Sequence, residues 1–357
     1  MSPGGADIVR VGMVSPVGLS AEVTAAAVQA GIARFQAGSI LDRRFNPLVM
    51  ALVATPDLPP LIPEVDAVLG LTSRQMRMLR LAGPALQECL DGLPPTPLPL
   101  LLAGPEPFPA GRPAPIGPVF LEHLARQSGR ALALAHSRVF PAGRAGVFLA
   151  LAAALEGLAA RRYPRVVVGG VDTLLDLYLL GTLDLEERLR ADGVFDGAIP
   201  GEGAAFLLLT RPGAGDGAGG GALARMEGVG VAEELGHRYA KDTPYKGDGL
   251  DAAFRAVFAA APGDPVRAVY AGFNGENFFA KEWGVAFLRH RKRFVEDHTM
   301  DHPADCVGDA GAGLGAMMVG LAAMAVAEGQ RAPRCLVWGS SDLAARGAAL
   351  LSKPQER

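Results

Sequence analysis

The chain has 357 residues, 50% of them hydrophobic and 20% charged, and its net charge of −3 gives no reason to propose a nucleic-acid partner. Three cysteines, Cys89, Cys306 and Cys335, are too few and too scattered for a disulfide framework or a metal knuckle, the six histidines lack metal-ligand spacing, and no phosphate loop marks a cofactor site. Met1 to Asp7 lacks the basic and apolar regions of a signal peptide, so a cytoplasmic globular protein is expected.

Ile8 to Val14 alternates as a strand does, and Ser15-Pro16-Val17-Gly18 turns it into an Ala-rich helix from about Ser20 to Ala30. Arg34 to Pro63 shows no clean period and reads as loop. Ser73 to Leu90 has apolar residues at helical spacing, with Ser73 as cap and Pro84 as a kink. Gly92 to Pro118 is dense in proline, yet Leu98 to Ala103 inside it reads as a core strand, so no domain boundary falls there. A short helix, Val119 to Gln127, and a strand, Ala131 to Phe140, lead to the central stretch.

Gly143-Arg144-Ala145-Gly146 opens a helix that reaches Ala160 and is apolar on nearly every face, the mark of an interior helix. Arg165 to Asp172 reads as a buried strand and contains Gly169-Gly170-Val171; Asp196-Gly197 through Gly201-Glu202-Gly203-Ala204 leads into the strand Phe206 to Leu209. Gly213 to Gly221 can pack against nothing and reads as a joint between residues 1–212 and 222–357. Beyond it come a strand near Ala224 to Val231, a helix near Leu250 to Ala261 and a strand Val266 to Gly272. A loop and helix from Phe273 to Phe294 follow, with Arg289 to Arg293 as a solvated helix face that an acidic carrier could also meet. Ala310 to Ala327 carries no charge and approaches the roughly 20 residues of a membrane span, but its Gly, Ala and Met content reads as a buried helix of a globular protein.

Gly308-Asp309-Ala310-Gly311 repeats Gly143-Arg144-Ala145-Gly146 at a constant offset of 165 residues. Two halves that each carry strand, small-residue turn and buried helix indicate a duplicated βαβ-rich unit in an α/β fold.

This order of motifs resembles the ketosynthase branch of the thiolase-fold family, in which a Cys-Ser-Ser-like segment starts a buried helix, Gly-Gly-Val follows and Asp-Gly-x-x-x-Gly-Glu-Gly-Ala comes next. The resemblance implies a layered α-β-α-β-α fold and a homodimer, with the strand ending at Phe140 at the two-fold interface. It places the active site between the two matching helix N-termini, whose dipoles favour anionic chemistry. It also locates what is missing. Counting back about 25 residues from Gly169 puts Arg144 at the nucleophilic cysteine, or Gly143 if the register slips by one. The first histidine position falls on Phe273 or Asn274, the second on Asp309 and the lysine on Ala304; the terminal glycine-rich loop resembles Val337-Trp338-Gly339-Ser340-Ser341-Asp342.

An arginine at a helix N-terminus opposes the dipole, so Arg144 either pairs with Asp309 or points into a water-filled pocket. No residue stands as a confident catalytic group: Arg144, Asn274 and Asp309 occupy degenerate site positions, and Gly143, Phe273, Glu276, Cys306, Trp338 and Ser340 are pocket candidates. Cys306 is either a displaced nucleophile or a buried structural thiol. The leading expectation is a catalytically inactive ketosynthase-like scaffold or accessory dimer that binds a protein partner such as a secretion or assembly factor, a ketosynthase or an acyl carrier protein. The alternatives are a chain-length-factor-like subunit that pairs with an active ketosynthase, and an acyl-thioester enzyme with relocated chemistry.

Overall fold

A computed structural model describes residues 5–108, 112–215, 220–329 and 334–354. Strand β1 (Ala6–Val14) leads to helix α1 (Ala21–Gln29), whose first turn is capped by the Ser20 side chain accepting from Val23 N–H. The segment expected to be loop, Arg34 to Pro63, instead holds the hairpin β2 (Gln36–Leu41) and β3 (Pro47–Met50), and the short helix α2 (Pro63–Asp66) starts at its end. The hairpin escapes a period search because a bulge between Ala37 and Leu41 breaks its alternation; its turn is closed by Asp42, which accepts from the backbone of Arg44 and Asn46 at 2.8 Å each.

Helix α3 (Ser73–Cys89) begins at Ser73, and its cap lies one residue before the expected one. Thr72 is the capping residue, and a reciprocal bond from Thr72 N–H to the Gln75 side chain completes a capping box; the helix runs on through Pro84. There follow β4 (Leu100–Ala103), α4 (Pro118–Ser128) and β5 (Arg138–Phe140). The strand expected from Ala131 is thus only three residues long: Leu132 makes a lone bridge to Leu98, and a 3₁₀ turn over Leu134–His136 interrupts the run. Gly143–Ala145 forms a 3₁₀ turn that opens α5 (Gly146–Ala159), followed by β6 (Arg165–Thr173). Helix α6 (Leu177–Leu185) had no counterpart in the sequence reading, although Asp176 caps it by accepting from Leu179 N–H.

Strand β7 (Glu202–Thr210) ends this half; Asp216 to Gly219 of the expected joint lie outside the described residues. Strand β8 (Ala224–Glu233), α7 (Asp248–Ala260), β9 (Val266–Ala271) and α8 (Asn277–His290) come next. Only Arg289 and His290 of the basic run belong to α8; Arg291–Arg293 turn the chain into β10 (Phe294–Asp301), a polar edge strand that the expected loop and helix did not include. Helices α9 (Ala304–Val307) and α10 (Gly311–Ala327) and strands β11 (Arg334–Ser340) and β12 (Ala345–Ser352) complete the fold.

The strands of each half take the same order. Along the ten-stranded sheet it reads β10-β9-β11-β12-β8-β1-β7-β6-β4-β5, so counting strands within either five gives third, second, fourth, fifth, first. Parallel and antiparallel pairings also match, β4 with β5 and β6 as β9 with β10 and β11. The fives join only where Ala6–Ile8 of β1 pair with Ala224–Met226 of β8. Helices α5 and α10 contact each other and strands of both fives, α3 lies against β1, β7 and β6, and α7 lies against β8 and β12, giving an α-β-α-β-α stack.

Alternation along the strands explains the layers, because successive side chains point to opposite faces. In β7, Ala205, Leu207 and Leu209 join the central cluster around α5 and α10, whereas Ala204, Phe206 and Leu208 join the cluster under α3. In β12, Ala349 and Leu351 face inward, and Ala348 and Leu350 face the aromatic cluster under α7 and α8. Sheets covered on both faces need such continuous apolar strands. Helix α10 is accordingly buried along most of its length, and no described helix is long and apolar enough to cross a membrane.

Candidate functional site

The two inner helices bring their N-termini together, and the repeat-equivalent residues meet there. Arg144 Nη1 lies 2.6 Å from Asp309 Oδ2, both side chains being buried. Arg144 Nη2 reaches Asp342, and Nε donates to the Ser340 carbonyl at 3.1 Å. The guanidinium also lies 4.6 Å from the Phe279 ring centre. Arg188, from the turn after α6, makes a two-pronged pair with Glu276 at 2.8 and 2.7 Å and also donates to both Asp342 oxygens and to the Tyr239 hydroxyl. Asn274 Nδ2 bridges Glu276 and Asp309 at 2.9 Å each. Asp342 therefore joins two arginines, and Asn274 joins the carboxylates of two different arginines, so the network is continuous.

Charge fixes the protonation states. Burial alone would raise the Asp342 carboxyl, but Arg144 and Arg188 hold it well below the usual carboxylate range. Burial opposes the charge of Arg144, and Asp309 and Asp342 outweigh it, so the guanidinium stays protonated. Glu106 behaves differently: burial, then the neighbouring Asp342, push it up to about 7 against the pull of Arg144. Its oxygens accept from the backbone N–H groups of Asp342 and Leu343 at 3.0 and 2.9 Å.

Glycine makes room for two of these carboxylates. Gly143, at φ +53°, would place a Cβ 2.5 Å from Glu106 Oε1, and Gly311, at φ +50°, would place one 2.1 Å from Asp172 Oδ2. Asp172 in turn accepts from Ala312 N–H at the start of α10 and from Arg74 Nη2 at 2.8 Å. Together these groups line a half-enclosed cavity of about 60 Å³, with Leu174, Leu179, Leu183 and Phe108 as its apolar wall.

Of the residues expected at the site, Gly143, Arg144, Glu276 and Asp309 line this cavity, and Asn274 braces it from behind. Ser340 contributes its carbonyl. Phe273 and Trp338 turn away into the aromatic cluster beneath α8, their ring centroids 5.2 Å apart. Cys306 is buried in the central apolar cluster, off the cavity, and burial raises its thiol pKa, which disfavours a thiolate. Sequence reasoning missed Arg74, Glu106 and Arg188 as site residues. They come from α3 and from loops without a motif, and no spacing rule joins them to Arg144. Asp172 and Asp342 stood inside quoted motifs without being singled out.

No protein-family model matches the sequence, and no curated protein matches it. Solved structures do. The ketosynthase from module 6 of the bacillaene synthase of Bacillus subtilis 168 superposes with a TM-score of 0.79 at 12% identity, over 99% of this chain and 72% of that one. The ishigamide ketosynthase/chain length factor gives 0.74 at 16% identity, over 98% and 99%. A type II polyketide ketosynthase, AntDE, in complex with its acyl carrier protein AntF gives 0.75 at 13% identity, over 98% and 100%. The chain thus has the thiolase-like fold in its ketosynthase form.

Proposed function

We propose that the chain is a catalytically inactive ketosynthase-like protein that acts as a cytoplasmic scaffold or accessory dimer for a protein partner, its two halves joined across residues 213–221. One observation carries this reading: the Arg144–Asp309 ion pair fills the space between the two inner helix N-termini. Neither side chain can serve as a nucleophile toward a thioester there, since arginine stays protonated and Asp309 is held by Arg144, Asn274 and the Gly311 N–H. The buried position of Cys306, away from the cavity, speaks against relocated thiol chemistry. Strand β5 lies at the outer edge of the sheet with β4 on one side, which leaves an edge for pairing with a second copy.

A chain-length-factor-like subunit is the second reading. It is favoured by the full-length match to a ketosynthase/chain length factor and to AntDE bound to its acyl carrier protein. Intact-protein mass spectrometry after incubation with acyl and malonyl thioesters, with hydrolysis and decarboxylation followed in parallel, tests inactivity. No adduct and no turnover are expected; an adduct on Cys306, or turnover abolished by Asp309→Ala, would sink the reading. Light scattering of the protein alone and with an active ketosynthase separates a homodimer from a mixed dimer.

A further inference from the structure

We propose that the cleft between the end of β1 and the start of α1 is a binding site for a small zwitterion with an apolar tail, an aliphatic α-amino acid by class. The cleft encloses about 410 Å³, within the range of about 300–1,000 Å³ that small-molecule sites occupy. It shares no lining residue with the cavity at the inner helix N-termini, so it stands apart from the functional reading above.

Two charged residues line it, and they are opposite in sign: Arg34 and Asp57. Both are exposed, and neither side chain has a hydrogen bond or ion pair to any described residue, nor to the other. Their backbones, by contrast, are held. Asp57 closes a 3₁₀ turn, Thr55–Asp57, and Arg80 Nη2 grips the Thr55 and Leu58 carbonyls on either side of it at 2.8 Å each. Arg34 N–H donates to the Cys306 carbonyl at 3.5 Å. A fixed frame with uncommitted charged ends lowers the ordering cost of binding.

The remaining surface is mostly apolar. Val53 is buried and Val17 half-buried, whereas Leu19 and Val23 are left 50% and 54% exposed. The two serines of the cleft serve the fold: Ser15 Oγ meets Thr24 Oγ1 at 3.0 Å, and Ser20 caps α1. Recognition therefore falls to the charges and to the aliphatic surface.

A zwitterion answers both charges at once. Its carboxylate pairs with the planar donor face of Arg34, its ammonium with Asp57, and its side chain covers Leu19 and Val23. A lone anion leaves Asp57 unanswered, and a lone cation leaves Arg34 unanswered, so each gains one pair of two. A polyphosphate would meet a single cation, and a hard metal ion a single carboxylate where it takes six or more oxygens.

The test titrates leucine and its two halves into the whole protein at pH 7. The halves are 4-methylpentanoate, which lacks the ammonium, and 3-methylbutylammonium, which lacks the carboxylate. Methyl chemical shifts locate and measure binding. Leucine should bind in the millimolar range and move the methyl signals of Val17, Leu19 and Val23. Each half should bind at least threefold more weakly, the size of one solvent-exposed ion pair. Arg34→Gln should weaken leucine and the acid about threefold and leave the amine unchanged; Asp57→Asn should weaken leucine and the amine and leave the acid unchanged. Both side chains are exposed and unpartnered, so both variants should fold. No binding of leucine, shifts confined to other methyls, a half that binds as tightly as leucine, or variants that do not sort the probes by charge overturns the proposal.

Discussion

The starts of α5 and α10 occupy equivalent places in the two halves and meet the same electrostatic demand in opposite ways. Both present unpaired N–H groups and the positive end of a helix dipole. Helix α10 is answered by acids from its own surroundings: Asp309 accepts from Gly311 N–H at 3.0 Å and Asp172 from Ala312 N–H at 3.2 Å. Helix α5 instead carries a cation, Arg144, and takes its cap from a distant loop, with Ser341 Oγ accepting from Ala145 N–H at 3.0 Å. One start is met by acids, Asp309 from its own turn and Asp172 lent by β6 of the first half. The other is stable only because carboxylates of the second half, Asp309 and Asp342, come to it.

Removing the shared acid should disturb this contrast most. Asp309→Ala leaves the buried Arg144 guanidinium with Asp342 but without its second carboxylate and removes an α10 cap at once, and should lower stability by about 3 kcal/mol in urea unfolding. Asp309→Asn can still accept from Gly311 N–H, so a loss of similar size would assign the effect to charge, and a much smaller one to the cap. Arg144→Met leaves two carboxylates under-paired and should cost about 3 kcal/mol, while the double variant Arg144→Met/Asp309→Asn should lose clearly less than the two singles added together. Additivity within about 0.5 kcal/mol would mean that the two helix starts are independent and the contrast is accidental.

Glu106 sharpens the comparison through pH. Its pKa is raised in the fold from an ordinary 4.5 to about 7, so the native state holds the proton that the unfolded chain releases. Stability from this group is therefore greatest in acid, falls between about pH 4.5 and 7 as the unfolded state ionises first, and is level above that. Glu106→Gln should remove this slope, and its melting temperature should gain on the unaltered protein between about pH 4.5 and 7, by the equivalent of about 1.4 kcal/mol per pH unit at most. A parallel pH profile for the two proteins would show that Glu106 does not titrate there. The smallest effect is expected from Ser341→Ala, about 1 kcal/mol, for loss of the borrowed α5 cap.

Much of this contrast was legible in the sequence, and the limit has a physical cause. The Gly-x-Ala-Gly repeat at constant offset places Arg144 and Asp309 at matching helix starts, and apolar strands buried on both faces mark the layers. Elements that pack weakly left no such trace. Strand β10 is a polar edge, the β2–β3 hairpin carries a bulge, and the short strand β5 takes its order from a neighbour rather than from its own pattern. The site residues that were missed, Arg74, Glu106 and Arg188, act through contacts across the fold: Arg74 meets Asp172 98 residues on, Glu106 meets the backbone of Asp342 236 residues away, and Arg188 meets Asp342 itself 154 residues on. A periodicity search sees neighbours in sequence, and these residues are neighbours only in space.

The position of Asp342 has a consequence for the order in which the molecule assembles. It follows Arg144 by 198 residues and Arg188 by 154, yet among the described residues it is the one carboxylate that binds both. During synthesis the first half emerges with two inward-facing arginines and without that acid, so it cannot close its interior cheaply on its own. Native closure waits for β11 and the loop after it. Contacts of such high sequence separation are slow to form. The ion pairs at the two inner helix starts therefore cannot form until the second half is in place.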